Sequence, residues 1–457
     1  MTYYLAVDIG ASSGRHILGS IQDGKLVLEE IYRFPNNVVN DNGSLVWDIE
    51  NLVKEVKAGI KECSSIGKIP KTVAIDTWAV DYVLLDKEKS PIMPVIAYRN
   101  NRTESVQDEA EKIMPFSELY KRTGIQKQPF NTVYQLYCDK LSGKLDNAEH
   151  FLMIPEYLAF TLTGEIKNEY TNASTTAMVN AETGDWDDEI LSAFGIKKSI
   201  FSPLSMPATS IGEFTKEMQD FAGFNAEVVF CPTHDTASAV AACPIDDNSV
   251  YISSGTWSLL GTESKTPVIS DESRKANFTN EGGVERRFRV LKNIMGMWLF
   301  QNIRRNVDKK YTYDEMMEMA QKCGDYRIFD VNDASLVAPE NMIDAIAELI
   351  GEDRESLPLI INSTYHSLAK AYNDSIEQIE KISGKTIENI FIVGGGSKDK
   401  YLNSLTSQVT GKRVITGLGE ATATGNIISQ IMFDRGIDLT EARKIVKSSF
   451  DIKEAEI

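Results

Sequence analysis

The chain has 457 residues, 25% of them charged and 42% apolar, which fits two or three globular domains and excludes a disordered chain, a collagen or a disulfide miniprotein. Lys and Arg total 48 against 66 Asp and Glu, a net charge of −18. Such a surface repels phosphate backbones and anionic headgroups, so neither nucleic acid nor a membrane is expected as a partner. An anionic ligand then needs a local device: backbone N–H groups, a helix N-terminus or a metal ion.

Residues 3–7 read as a β-strand that runs into Asp8-Ile9-Gly10-Ala11-Ser12-Ser13-Gly14. Two further strands are expected over 15–21 and 25–34, joined by the turn Gln22-Asp23-Gly24. Apolar spacing at Ile49, Leu52, Val53, Val56 and Ile60 predicts a helix over 48–63. Strands over 72–76 and 81–85 follow, then a mostly helical stretch, 117–162, broken at Gly124 and Pro129. A strand over 224–231 leads through Pro232 into a small-residue helix over 233–242, whose Thr/Asp start suits an N-cap. The turn cluster at 244–248 marks the expected division of the chain into 1–244 and 245–457.

A second cycle then begins: a strand over 249–253, the turn Ser254-Gly255-Thr256, and a strand over 257–262. It repeats the order of the opening strand, small-residue turn and strand, as a distant internal duplication would. Ile294, Trp298, Leu299 and Ile303 predict a buried helical face within 291–305. A helix over 359–382 and a strand over 389–393 precede Gly394-Gly395-Gly396-Ser397, and helices over 400–410 and 422–435 close the pattern. Strands alternating with helices in both halves predict two α/β domains with a cleft between them. Five scattered cysteines without a CxxC pair, no basic-then-apolar leader and no long apolar run predict a soluble, cytoplasmic protein.

Five segments carry chemistry. The small residues from Gly10 to Gly14 let backbone N–H groups approach one phosphate closely, and Asp8 at the strand end suits a hydrated Mg²⁺; the alternative is an ordinary hairpin with a capped turn. Thr256, in the matching turn, can offer its hydroxyl to a terminal phosphate, and two facing turns can grip a triphosphate. Gly394 to Gly396 offer a flat surface for a nucleotide ahead of a helix, without the G-x-G-x-x-G spacing of a dinucleotide site. Asp235, at a helix start in Cys231-Pro232-Thr233-His234-Asp235-Thr236, suits a general base toward a substrate hydroxyl, with His234 and Thr236 beside it; a helix-capping role competes. A metal site on Cys231, His234 and Asp235 lacks further ligands. Asp76-Thr77-Trp78-Ala79-Val80-Asp81 joins acids to an aromatic plate of the kind that lines a sugar site. Gly384-Lys385-Thr386 imitates the end of a Walker A loop, but Ile379 stands where its first glycine belongs and the segment follows a helix.

DIGASSGR (8–15) and SSGTWS (253–258), with a late VGGGS (393–397), resemble the FGGY carbohydrate kinases of the actin and sugar-kinase superfamily. IDTWAVDYVLLD (75–86), AYRNNRT (97–103), PFNTVYQLY (129–137), MIPEYLAFTLTGE (153–165), EYTNAST (169–175), THDTASA (233–239) and NEGGVERRFRVLKNIMGMWL (280–299) extend the resemblance over nearly the whole chain. It implies an α/β fold of two duplicated actin-like (ribonuclease H-like) domains around an interdomain active-site cleft, an N-terminal sugar-binding domain and a C-terminal nucleotide-binding one. It implies ATP-dependent phosphorylation of a 6-deoxy ketohexose, L-rhamnulose, at its 1-hydroxyl, with ATP as co-substrate and Mg²⁺ as the metal. Asp235 is then the proton acceptor, and His234, Asp235, Thr236 and Asn293 touch the sugar. Ala11, Ser12, Ser13, Gly14, Arg15, Thr256, Gln301, Gly394, Gly395 and Gly396 fall on the nucleotide. The family's sugar-contacting glycine is Ala79 here, a departure that adds a methyl where backbone meets sugar. Kinases of fuculose, xylulose or glycerol are the nearest alternatives, and a superfamily ATPase without a sugar site a more distant one.

Overall fold

The computed structural model describes residues 1–455, which form two compact units. The first gathers Met1–Pro244, Ser264–Val290 and Ala421–Ser449; the second gathers Ile245–Glu263, Leu291–Glu420 and the segment from Phe450. Neither unit is continuous in sequence.

The sheet of the first unit is ordered Thr209–Glu213, Glu227–Phe230, Pro70–Thr77, Tyr3–Ile9, Ser13–Gln22, Lys25–Pro35. Tyr3–Ile9 pairs antiparallel with Ser13–Gln22 and parallel with Pro70–Thr77. Residues 4–9 are buried throughout, as a strand covered on both faces requires. Asp48 caps the helix Ile49–Ser65 by accepting the Asn51 N–H at 3.0 Å, and Ile49, Leu52, Val56, Ile60 and Cys63 form its buried stripe. On the sheet's other side lies Ala421–Arg435, polar yet buried: Gln430 donates to the Leu5 carbonyl (2.9 Å) and accepts from Thr72 Oγ1 (2.6 Å). A Cβ at Gly425 would overlap the Ser238 carbonyl, so only glycine lets this helix meet Asp235–Ala242.

The second unit repeats this order. The seven-stranded sheet that holds its strands runs Thr279–Gly282, Phe288–Met295, Trp257–Ser264, Ser249–Ser254, Asn389–Val393, Arg413–Thr416, Lys453–Glu454, and the last six follow the order of the first sheet reversed. Ser249–Ser254 is again the strand with an antiparallel hairpin partner on one side and a parallel strand on the other. The shared strand order is that of the duplicated actin-like fold expected from the sequence.

Elsewhere the structure differs from expectation. Residues 291–305 are not one helix: the strand Phe288–Met295 and the helix Trp298–Asn306 meet at Gly296. Asn293 therefore sits on a strand. The helix expected over 233–242 begins at Asp235, because Thr233 continues into a bridge between Thr77 and His234.

Candidate active site and nucleotide turns

In the first unit the hairpin register sets Arg15 opposite Asp8, and Arg15 Nη2 donates to Asp8 Oδ2 at 2.6 Å. The turn between them is closed by the Gly10 N–H bonding to the Ser13 carbonyl (2.9 Å). Asn36 binds it from the side, through Nδ2 to the Gly10 carbonyl (2.9 Å) and its own N–H to the Ser12 carbonyl (3.1 Å). Ser12 is exposed and Ala11 and Ser13 half-buried, so the turn meets solvent while its base is fixed.

The parallel register places Asp76 beside Asp8. Asp76 is fully buried; its Oδ2 accepts from Asn426 Nδ2 at 2.6 Å and its Oδ1 makes no hydrogen bond. Burial first, then the charge of Asp8 and, more weakly, that of Asp235, hold its carboxyl well above the usual range. Three carboxylates thus share one region of this unit with the Arg15 guanidinium. Among the described residues no three His, Cys, Asp or Glu side chains are arranged to enclose a metal. Mg²⁺ does not need such a cage, since it takes one or two carboxylates and keeps waters and phosphate oxygens. The orphaned Asp76 oxygen and the crowded acids fit a cation held at Asp8.

Asp235 opens the helix Asp235–Ala242, and the loop before it is tied down at nearly every polar atom. The Thr77 N–H donates to the Thr233 carbonyl (2.9 Å), and Ser238 Oγ to the Pro232 carbonyl (2.7 Å). Glu169 Oε2 accepts from Thr233 Oγ1 (2.6 Å) and from its N–H (3.2 Å). Glu169 is itself buried, its pKa raised by burial, and its N–H donates to Glu156 Oε1 at 2.6 Å. Glu156, also buried, is pushed up to about 8 by desolvation. The Asp235 side chain is 32% exposed, against 9% for His234 and Asp8 and none for Asp76. Thr236 Oγ1 donates to Asp235 Oδ1 at 3.1 Å. Cys231 is fully buried with its thiol on the Ile75 carbonyl, and burial raises its pKa, which leaves it inert.

The aromatic plate expected of Trp78 is internal. Trp78 is 6% exposed and tilts against Trp47 at 4.2 Å between ring centroids. Both indole N–H groups donate to Asp81 Oδ2, at 2.9 and 2.6 Å, and burial pushes Asp81 up to about 6. What reaches solvent is the half-buried Ala79. The next residue, Val80, has φ +67°, a backbone state costly for a β-branched residue. Its carbonyl is caught by Thr132 Oγ1 (2.8 Å) and Gln135 Nε2 (3.2 Å), which hold the strained turn in place.

The second unit builds its own turn. Ser253 pairs with Val393, so Ser254-Gly255-Thr256 and Gly394-Gly395-Gly396 leave adjacent parallel strands side by side. The Thr256 carbonyl accepts from the N–H groups of Gly296 (3.2 Å) and Trp298 (3.1 Å), and the Gly255 carbonyl from Met297 (3.0 Å). Gly255 and Thr256 are exposed; Gln301 is exposed one turn into the helix Trp298–Asn306. Asn293 Oδ1 is buried without a hydrogen-bond partner. Gly384 ends the helix Leu357–Ser383 with φ +70°, and Lys385 Nζ donates to the Glu263 carbonyl at 2.6 Å. Gly384-Lys385-Thr386 is thus a helix exit and no phosphate loop.

The N-terminal domain model of the FGGY family of carbohydrate kinases matches residues 3–242, and the C-terminal domain model of that family matches 250–433. The chain belongs to this family. A rhamnulokinase of Oceanobacillus iheyensis is 44% identical, over 98% of this chain and 97% of that protein. One from Bacillus subtilis is 40% identical, over 98% and 94%. Among solved structures, a ligand-bound xylulose kinase from Lactobacillus acidophilus has a TM-score of 0.84 at 18% identity, covering 100% of this chain and 93% of that one. Plasmodium falciparum glycerol kinase with ADP has a TM-score of 0.79 at 16% identity, covering 100% and 94%. These structures share the FGGY kinase fold. Sequence reasoning overlooked the residues beneath this family's motifs: Glu169, Asn36, Asn426, Glu281 and Arg289. Glu169, Glu281 and Arg289 lie within stretches that carry the family resemblance, but no local pattern marks any of the five as supporting a site.

Proposed function

We propose that this kinase transfers the terminal phosphoryl group of ATP to the 1-hydroxyl of L-rhamnulose. The observation that carries the chemistry is the contrast among the acids: Asp235 alone of Asp8, Asp76 and Asp235 keeps a third of its side chain open, on a loop whose other polar atoms are bound. The substrate follows from the rhamnulokinases that share 39–44% identity with nearly the full chain.

Phosphoryl transfer asks a protein for positioning and charge neutralisation. Asp235 orients the sugar hydroxyl and accepts its proton, while His234 and Thr236 take neighbouring hydroxyls. Ala79 meets the sugar through a backbone held by the Val80 clamp, and Asn293 brings a buried amide oxygen in need of a donor. The turn Ala11–Arg15 and Thr256 bind phosphate oxygens, and the glycines 394–396 and Gln301 the rest of the nucleotide. Mg²⁺, when bound at Asp8, supplies neutralisation of the phosphate charge. On this reading residues 1–244 carry most of the sugar determinants and 245–457 most of those for the nucleotide, with Asn293 and the turn Ala11–Arg15 as the exceptions, in the cytoplasm. In support, the cysteines form no disulfide, and no helix is long and apolar enough to cross a membrane, among the described residues.

The test is ADP release in a coupled assay with L-rhamnulose, L-fuculose, D-xylulose and glycerol. The highest kcat/KM is expected for L-rhamnulose. An equal or higher value for another acceptor overturns the substrate, and equal turnover without any sugar overturns the sugar kinase.

A further inference from the structure

Behind His234 lies a charged pair in the first unit with no role in the reaction described so far. Arg289 is fully buried, and its Nη2 is 3.0 Å from Glu281 Oε2 and 3.1 Å from His234 Nδ1. Its Nε donates to the Gly282 carbonyl at 2.9 Å, while Nη1 is buried without a hydrogen-bond partner. Glu281 Oε2 also lies 3.4 Å from His234 Nδ1, and His234 Nε2 lies 3.4 Å from Asp235 Oδ1. Buried ion pairs contribute little stability over apolar packing, and this one leaves a donor unmet, so stability is a poor reason for it.

An arginine side chain can only donate hydrogen bonds. The nitrogen it faces must therefore present a lone pair. A neutral imidazole whose Nδ1 accepts carries its proton on Nε2, the nitrogen facing Asp235. Without Arg289 the preference reverses: Glu281 becomes the neighbour of Nδ1, and a carboxylate draws an N–H. The ring would then turn a lone pair toward the Asp235 carboxylate.

We infer that Arg289 is a positioning residue that fixes His234 as the Nε2–H tautomer, so that His234 donates toward Asp235 and the sugar hydroxyl beside it. Glu281 holds the guanidinium in place and balances its charge. The inference rests on the assignment of His234 and Asp235 to the sugar site, but not on which sugar is bound.

The experiment is ¹⁵N NMR of the histidine side chains in ligand-free protein, in which His234 is one of only four histidines. Wild type is expected to show a protonated Nε2 and an unprotonated Nδ1 at His234. In Arg289→Met the proton is expected on Nδ1, and kcat/KM for the sugar falls about tenfold or more, the size of one charge-assisted hydrogen bond, with the ATP KM within about twofold. Glu281→Gln keeps the arginine donor and is expected to keep the wild-type tautomer. A wild-type Nδ1–H overturns the inference, and does so even if Arg289→Met fails to fold. So does a folded Arg289→Met with the wild-type tautomer and sugar kinetics. Because the spectrum needs no substrate, failure of the tautomer is distinguishable from failure of the rhamnulose reading.

Discussion

The three glycines at 394–396 face different surroundings, and an alanine scan across them separates fold from ligand. Gly394 has φ +83° and ψ −170°, a region essentially confined to glycine, and its Cβ would lie 2.7 Å from the Ser254 carbonyl oxygen. Forcing alanine there costs about 1–3 kcal/mol in backbone strain and about 1–3 kcal/mol for displacing packed backbone. Gly396 has ordinary space for its backbone, but a Cβ would fall on Ser254 Oγ, a side chain with no hydrogen bond to lose. Gly395 meets nothing within 4 Å. Gly394→Ala is thus expected to lose about 2–6 kcal/mol in urea unfolding and to weaken ATP by calorimetry. Gly396→Ala should lose about 1–3 kcal/mol, partly regained in combination with Ser254→Ala. Gly395→Ala should keep its stability within about 0.5 kcal/mol, because its side is open to solvent, and weaken ATP if the nucleotide lies on this turn as proposed. Wild-type stability in Gly394→Ala would refute the assigned conformation. Wild-type ATP affinity in both Gly394→Ala and Gly395→Ala would remove the nucleotide from this turn.

Asp235→Asn should lower kcat by about 10² to 10⁴ while ATP still binds; a folded variant with wild-type kcat would refute the proton-acceptor role. Ala79→Leu should raise the sugar KM steeply and spare the nucleotide Kd, and an unchanged sugar KM would show that residue 79 does not face the substrate. His16 predicts a pH dependence of stability. Burial lowers its pKa from 6.5 to about 4, with Nε2 on the Val56 carbonyl at 3.0 Å and Nδ1 unpartnered. The unfolded chain takes up a proton below about 6.5 and the folded one only near 4, so stability is full above that window and falls through it on acidification, by about 3 kcal/mol. His16→Phe should flatten that slope in urea titrations at pH 7 and pH 5; an identical slope in the variant would contradict it.

The hairpins and the late helices were legible because their signals are local. Asn389–Val393 and Lys400–Thr410 show apolar periodicity between glycines, and the structure has those bounds. The junction at Gly296 was hidden because Ile294, Trp298, Leu299 and Ile303 keep helical spacing across a strand-to-helix corner. The sign of a corner was Gly296 itself, whose Cβ would lie 2.8 Å from Ser258 N and from the Trp257 carbonyl carbon. Trp78 looked like an exposed plate since no local pattern reveals that Trp47 and Asp81 cover it. Arg289, Glu169 and Asn426 were out of reach for a related reason. They act on His234, Thr233 and Asp76, which lie 55, 64 and 350 residues away in the chain, and one sequence carries no record of such pairings.

The helix Ala421–Arg435 has a bearing on biosynthesis. Its Gln430 binds the strand Tyr3–Ile9, across 425 residues. During translation that strand emerges some 425 residues ahead of the helix that covers it. Contacts so distant in sequence slow folding and leave apolar surface exposed to aggregation. A nonsense codon near 420 would therefore do more than delete a C-terminal segment. It would strip one face of the first unit's sheet, and the nascent chain would depend on chaperones until the helix Ala421–Arg435 leaves the ribosome.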